Sequence, residues 1–114
     1  MLYLNGYPVN VTIFPDKTSQ VWKLPEEAFN NHSLYNVKWD YQDEAELLHL
    51  AQLVDLISDR DYDSHIYLDM PYLPFARQDK EVSNNTTFAL RTFAKTLASL
   101  SINTIHTLDA HSDV

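Results

Sequence analysis

Between residues 34 and 108 the apolar pattern switches repeatedly between a period of two and a period of three to four. That alternation limits the fold more than any other feature. "SLYNVKW" sets Leu34, Asn36 and Lys38 against Tyr35, Val37 and Trp39, which reads as a strand. "YQDEAELLHLAQLVDLISDR" then repeats Leu47, Leu50, Ala51, Val54 and Ile57 at spacings of three and four. This predicts a helix over 43–58, with Asp43, Glu44 and Glu46 at its positive end and Leu48, Leu53 and Leu56 widening the apolar stripe toward a second contact. "SHIYLDM" reads as a short buried strand, 65–70. In "SNNTTFALRTFAKTLASL", Leu90, Phe93, Leu97 and Leu100 share one face of a helix over 86–100, with Asn84, Asn85 or Thr86 available to cap it. "INTIHTL" supplies a last strand, 102–108. Strand 65–70, helix 86–100 and strand 102–108 together predict a right-handed βαβ unit.

The first 25 residues follow a different logic. Asn5-Gly6 between apolar runs is the strongest short signal for a β-hairpin. Val9, Val11 and Ile13 alternate with polar neighbours, so the second arm is expected to be a half-buried strand. "FPDKTS" reads as a turn and "QVWKL" as a short strand ended by Pro25. The expected class is α/β: a mostly parallel sheet flanked by helices, with an N-terminal β-hairpin.

Composition removes several function classes. The 114 residues allow one small domain or part of a larger one. A net charge of −8 argues against nucleic acid as a partner, because phosphate neutralisation needs a surplus of Lys and Arg. The single glycine, Gly6, rules out both the phosphate-cradling P-loop and the dinucleotide fingerprint. With no cysteine there is neither a disulfide framework nor a thiolate metal site. "MLYLNGYPVNV" lacks the basic-then-apolar layout of a signal peptide, and no stretch reaches the roughly 20 apolar residues that span a bilayer. A soluble cytoplasmic domain is expected, and the four N-x-[ST] matches at Asn10, Asn31, Asn84 and Asn85 read as chance.

Two polar clusters remain. In "MPYLPFARQDK" an aromatic bend between Pro71 and Pro74 leads into Arg77, Gln78, Asp79 and Lys80. Arg77 offers a planar fork of donors suited to phosphate oxygens, and Lys80 a mobile point charge. Pairing of Arg77 with Asp79 on a plain surface loop is the competing reading. "DAHSD" places Asp109, His111 and Asp113 at alternate positions, a donor set suited to Mg²⁺ held together with substrate phosphates. Zinc would need a further ligand that the spacing does not provide. His32, His49, His65 and His106 form no ligand spacing and read as structural or exposed. In parallel α/β sheets, ligands sit beyond the carboxyl ends of the strands, which puts both clusters on one rim.

With those residues in view, the sequence resembles the N-terminal part of ribose-phosphate pyrophosphokinase, also called phosphoribosyl pyrophosphate synthetase. "PYLPFARQDK" is close to the family's P-Y-x-P-Y-A-R-Q-D-[RK] loop, "FPDKTSQV" to its F-x-[DN]-x-E turn, and "TLDAHSDV" to its M-D-L-H strand end. The resemblance covers nearly the whole chain and implies a phosphoribosyltransferase-like N-terminal nucleotide-binding domain over 1–114. It also implies transfer of the pyrophosphoryl group of Mg-ATP to ribose 5-phosphate, releasing AMP. On that reading Arg77 and Gln78 contact ATP, with Arg77 on the phosphates, and His111 is a ligand of Mg²⁺. Phe14 and Asp16 hold the adenine of a neighbouring subunit's ATP, so a homo-oligomer is expected.

Thr18 departs from the pattern, standing where the family has an adenine-contacting glutamate, and Ala110 replaces a leucine. The resemblance also implies a truncated, incomplete domain, with the ribose-phosphate loop and flexible catalytic loop beyond Val114 and no activity for this chain alone. A second reading is a non-catalytic, synthetase-like subunit that regulates or scaffolds an active partner. A third takes "DAHSDV" as part of a metallohydrolase site.

Overall fold

The computed structural model describes residues 1–29, 33–75 and 84–108. Seven strands, β1 (Leu2–Leu4), β2 (Tyr7–Pro8), β3 (Val11–Ile13), β4 (Ser19–Val21), β5 (Leu34–Trp39), β6 (His65–Asp69) and β7 (Thr104–His106), combine with helices α1 (Glu46–Arg60) and α2 (Ala89–Ala98). Five strands form one sheet in the order β2-β1-β5-β6-β7, and β3 and β4 form a separate hairpin.

The sheet is mixed, not mostly parallel. β5–β6 and β6–β7 run parallel, whereas β2–β1 and β1–β5 run antiparallel. The expected alternation holds in β5, where Tyr35, Val37 and Trp39 are buried and Leu34, Asn36 and Lys38 exposed. The register sets Leu2 beside Trp39, Leu4 beside Val37 and Val37 beside Leu68, so one face of the sheet is continuous core. Both helices lie on that face: Trp39 touches Phe93 of α2 and bonds to Glu46 of α1. The opposite face carries Tyr3, Lys38, Asp69 and His106 in one cross-strand row, and no described helix covers it. The described helices therefore flank one side only, and the polarity of the second face is why it tolerates solvent.

Asn5 and Gly6 make the first turn with φ of 49° and 88°, the double left-handed conformation a two-residue hairpin loop requires. Asn5 also ties down its surroundings. Its Nδ2 donates to the Ala28 carbonyl at 2.8 Å and its Oδ1 accepts from the Asn36 amide at 2.9 Å. The second arm does not continue as one strand. β2 ends at Pro8, which has no N–H for a ladder, Val9 turns into the core, and Val11–Ile13 leaves to pair with Ser19–Val21. Ile13 is consequently exposed rather than half-buried.

The helix boundaries also differ from expectation. α1 begins at Glu46, with Asp43 and Glu44 in the turn ahead of it, and buries His49, Leu50, Leu53, Val54 and Ile57 while Leu48 stays exposed. α2 begins at Ala89 with Phe88 at its N-cap and no side-chain cap bond, so Asn84, Asn85 and Thr86 are not its cap. Of the predicted face, Phe93 and Leu97 are buried, whereas Leu90 and Leu100 are half-buried.

Candidate functional site

The parallel pair β6–β7 sets the geometry. Asp69 and His106, the last residues of the two strands, are register partners, so the segments after them leave the same edge of the sheet. His106 Nδ1 lies 3.4 Å from Asp69 Oδ1, and its ring stacks on Tyr67 at 6.3 Å. Arg77 and Gln78, in the segment after β6, and His111, in the segment after β7, lie outside the described residues, as do Asp79, Lys80, Asp109 and Asp113.

Phe14 and Asp16 occupy the tip of the β3–β4 hairpin. Phe14 accepts the Lys17 amide at 2.8 Å and donates its own amide to the Thr18 carbonyl at 2.8 Å. Lys17 sits at φ 72°. This is a tight turn followed by one left-handed residue, a common three-residue hairpin loop. Asp16 Oδ1 accepts from both the Thr18 hydroxyl at 2.6 Å and the Thr18 amide at 3.0 Å, and these bonds hold its carboxyl below the ordinary range. Thr18 is thus part of the turn that shapes Asp16, and Phe14 is left on the surface.

The hairpin is docked by α1. Gln52 Oε1 accepts the Val21 amide at 2.6 Å, and Gln52 Nε2 donates to the Ser19 carbonyl at 3.2 Å, so one amide side chain substitutes for a neighbouring strand. His49, buried, shares a hydrogen bond of 2.7 Å with the Ser19 hydroxyl. His65 meets Thr104 Oγ1 at 3.2 Å. These bonds agree with the structural reading of both histidines.

Sequence reasoning missed a cavity of about 430 Å³ at the carboxyl end of β5, between the start of α1 and α2. Trp39, Tyr41, Phe75 and Phe93 supply its aromatic wall, and Glu44, Thr87, Thr92 and Thr96 its polar one. The rings form a connected arc: Tyr72–Tyr41 at 6.1 Å, Tyr41–Trp39 at 5.6 Å, Trp39–Phe93 at 6.0 Å and Phe93–Phe75 at 5.6 Å, all tilted. Phe75 holds a left-handed φ of 67°, a strained conformation that its packing on Phe93 maintains. Burial raises the Tyr41 phenol above its ordinary range, and the Glu44 and Asp43 carboxylates push it the same way. The only hint in the sequence was the aromatic density of "KWDYQ" and "PYLPF".

No family model, no curated protein and no solved structure matches the chain.

Among the described residues, no group of three or more His, Asp or Glu side chains gathers for a metal ion, and no helix is long and apolar enough to cross a membrane. Asp109, His111 and Asp113, the residues expected at a magnesium site, lie outside the described residues. What the described geometry offers is a ring-lined cavity at the carboxyl end of β5.

Proposed function

We propose that the chain is the N-terminal, nucleotide-binding part of an enzyme of the ribose-phosphate pyrophosphokinase type. The intact enzyme would move the pyrophosphoryl group of Mg-ATP to the C1 hydroxyl of ribose 5-phosphate, releasing AMP. The observation that carries this reading is the parallel adjacency of β6 and β7, whose following segments spell "ARQDK" and "DAHSD". Ligands of such sheets bind beyond the carboxyl ends of the strands.

In this reading Arg77 binds and orients the phosphates through its bidentate fork, with Gln78 beside it. His111 is a ligand of the magnesium that neutralises phosphate charge. Transfer of this kind depends on positioning and charge stabilisation more than on covalent catalysis, so a guanidinium and a metal ligand on one rim are the parts it needs from this half. Phe14, exposed at the hairpin tip, and Asp16 hold the adenine of a neighbouring subunit in a homo-oligomer.

The test is calorimetric titration of Mg-ATP into the purified chain and its Arg77→Ala variant. Saturable binding that the variant loses supports the reading. Absence of binding, or equal binding by both proteins, contradicts it.

One observation favours a non-catalytic, synthetase-like subunit instead. Thr18 already engages one oxygen of Asp16, at the position where a glutamate would face the adenine. Stable co-purification with a complete synthetase, without nucleotide binding by this chain, would establish that reading.

A further inference from the structure

We infer that the ring-lined cavity at the end of β5 is a binding site for a small organic ammonium ion. This is a ligand distinct from ATP, and the inference stands independently of the phosphate chemistry proposed for Arg77.

Tyr41 and Phe75, both half-buried, present ring surface to the cavity, while Trp39 and Phe93 are buried behind them as its floor. The four lining rings are tilted to one another with centroids 5.6–6.0 Å apart, an arc that surrounds a rounded group better than it sandwiches a flat one. The π-faces of such rings are electron-rich and attract a cation within about 6 Å.

The charge on the wall has the matching sign. Among the described residues Glu44 is its one carboxylate, and no lysine or arginine takes part. Glu44 is exposed, and among the described residues no side-chain hydrogen bond or ion pair holds its carboxylate away from a ligand. The start of α2 lies on the same wall at Thr87 and Ala89, but a helix end carries about half a unit of positive charge against the full unit of Glu44. Thr87, Thr92 and Thr96 line the same wall; the Thr92 and Thr96 hydroxyls donate to the Phe88 and Thr92 carbonyls and keep lone pairs that can accept from a polar substituent of the ligand. A cavity of about 430 Å³ accepts a trimethylammonium group with a short chain.

Size and polarity alone would also admit a neutral apolar molecule, so the deciding comparison is between isosteres. Choline and 3,3-dimethylbutan-1-ol have the same shape and differ in charge. Each is titrated into the full chain at constant ionic strength, following amide and indole shifts by NMR. The inference predicts saturable choline binding that perturbs Tyr41, Glu44 and Phe93, about tenfold tighter than the alcohol, in line with cation–π attraction plus one carboxylate. Glu44→Gln, an exposed change that leaves the fold intact, weakens choline and not the alcohol. Tyr41→Leu weakens choline, and Tyr41→Phe restores it. Equal affinity for the two isosteres overturns the inference. So does the lack of saturable choline binding, or a selectivity for choline that Glu44→Gln and Tyr41→Leu leave unchanged.

Discussion

Glu46, the first residue of α1, accepts the indole N–H of Trp39, the last residue of β5, at 3.0 Å. The same carboxylate accepts the Gln42 and Asp43 amides at 2.8 and 3.1 Å and pairs with the Met1 amine at 2.5 Å. One acidic side chain thereby fixes where the helix begins, how Trp39 is oriented within the aromatic arc, and where the first strand is anchored.

That cluster makes stability depend on pH. Burial by itself raises the Glu46 carboxyl, but the Met1 amine, the Trp39 indole and the two amides outweigh it and leave it below its ordinary 4.5. A carboxyl lowered on folding contributes stability that is complete above its unfolded value and is lost as pH falls through its folded one. The urea midpoint of the native protein therefore falls on acidification below about pH 4.5. Glu46→Gln lowers the midpoint at neutral pH and flattens that acid limb. An unchanged acid limb in the variant would show that Glu46 is not responsible.

Gln52 is expected to be costly to replace. Gln52→Leu keeps the volume but leaves the Val21 amide and the Ser19 carbonyl without their partner. A loss of about 1–3 kcal/mol is expected from urea denaturation. The faster amide exchange that follows should centre on Val21.

Lys17 holds a left-handed backbone that glycine adopts without strain. Lys17→Gly should raise stability by roughly 1 kcal/mol, the gain from relieved strain exceeding the added chain entropy. Lys17→Ala gives no such gain. Equal effects of the two changes would remove backbone strain as the cause.

Thr18 keeps the Asp16 carboxyl below its ordinary range, chiefly through its hydroxyl and then its amide. Thr18→Val removes the hydroxyl bond, so the Asp16 carboxyl followed by carbon-13 NMR should titrate at higher pH than in the native chain. An identical titration would mean that the hydroxyl bond does not form in solution.

The sequence was most legible where one physical demand set the pattern. β5 must bury one side and wet the other, and Tyr35, Val37 and Trp39 spell that out. The βαβ order of β6, α2 and β7 followed from the change of period, and the Asn5-Gly6 turn from a backbone demand that few residue pairs meet. Val9–Ile13 was misread because alternation does not say which strand is the partner, and Pro8 divides the run between two sheets. The α2 start was misread because cap-forming residues at 84–86 precede a helix that begins at Ala89 with no side-chain cap. The role of Gln52 and the cavity were invisible for a simpler reason. Their partners, Ser19 and Val21 in one case and Trp39, Phe75 and Phe93 in the other, come together only after folding.

The proposal that the segments after β6 and β7 build one phosphate-and-magnesium site is tested most directly by a double-mutant cycle. Mg-ATP affinity is measured by calorimetry for the native chain, Arg77→Ala, His111→Ala and the double variant. A shared site predicts that the two losses fail to add, with a coupling of about 0.5–3 kcal/mol. Losses that add within about 0.5 kcal/mol, or a native chain that binds no Mg-ATP, would contradict it.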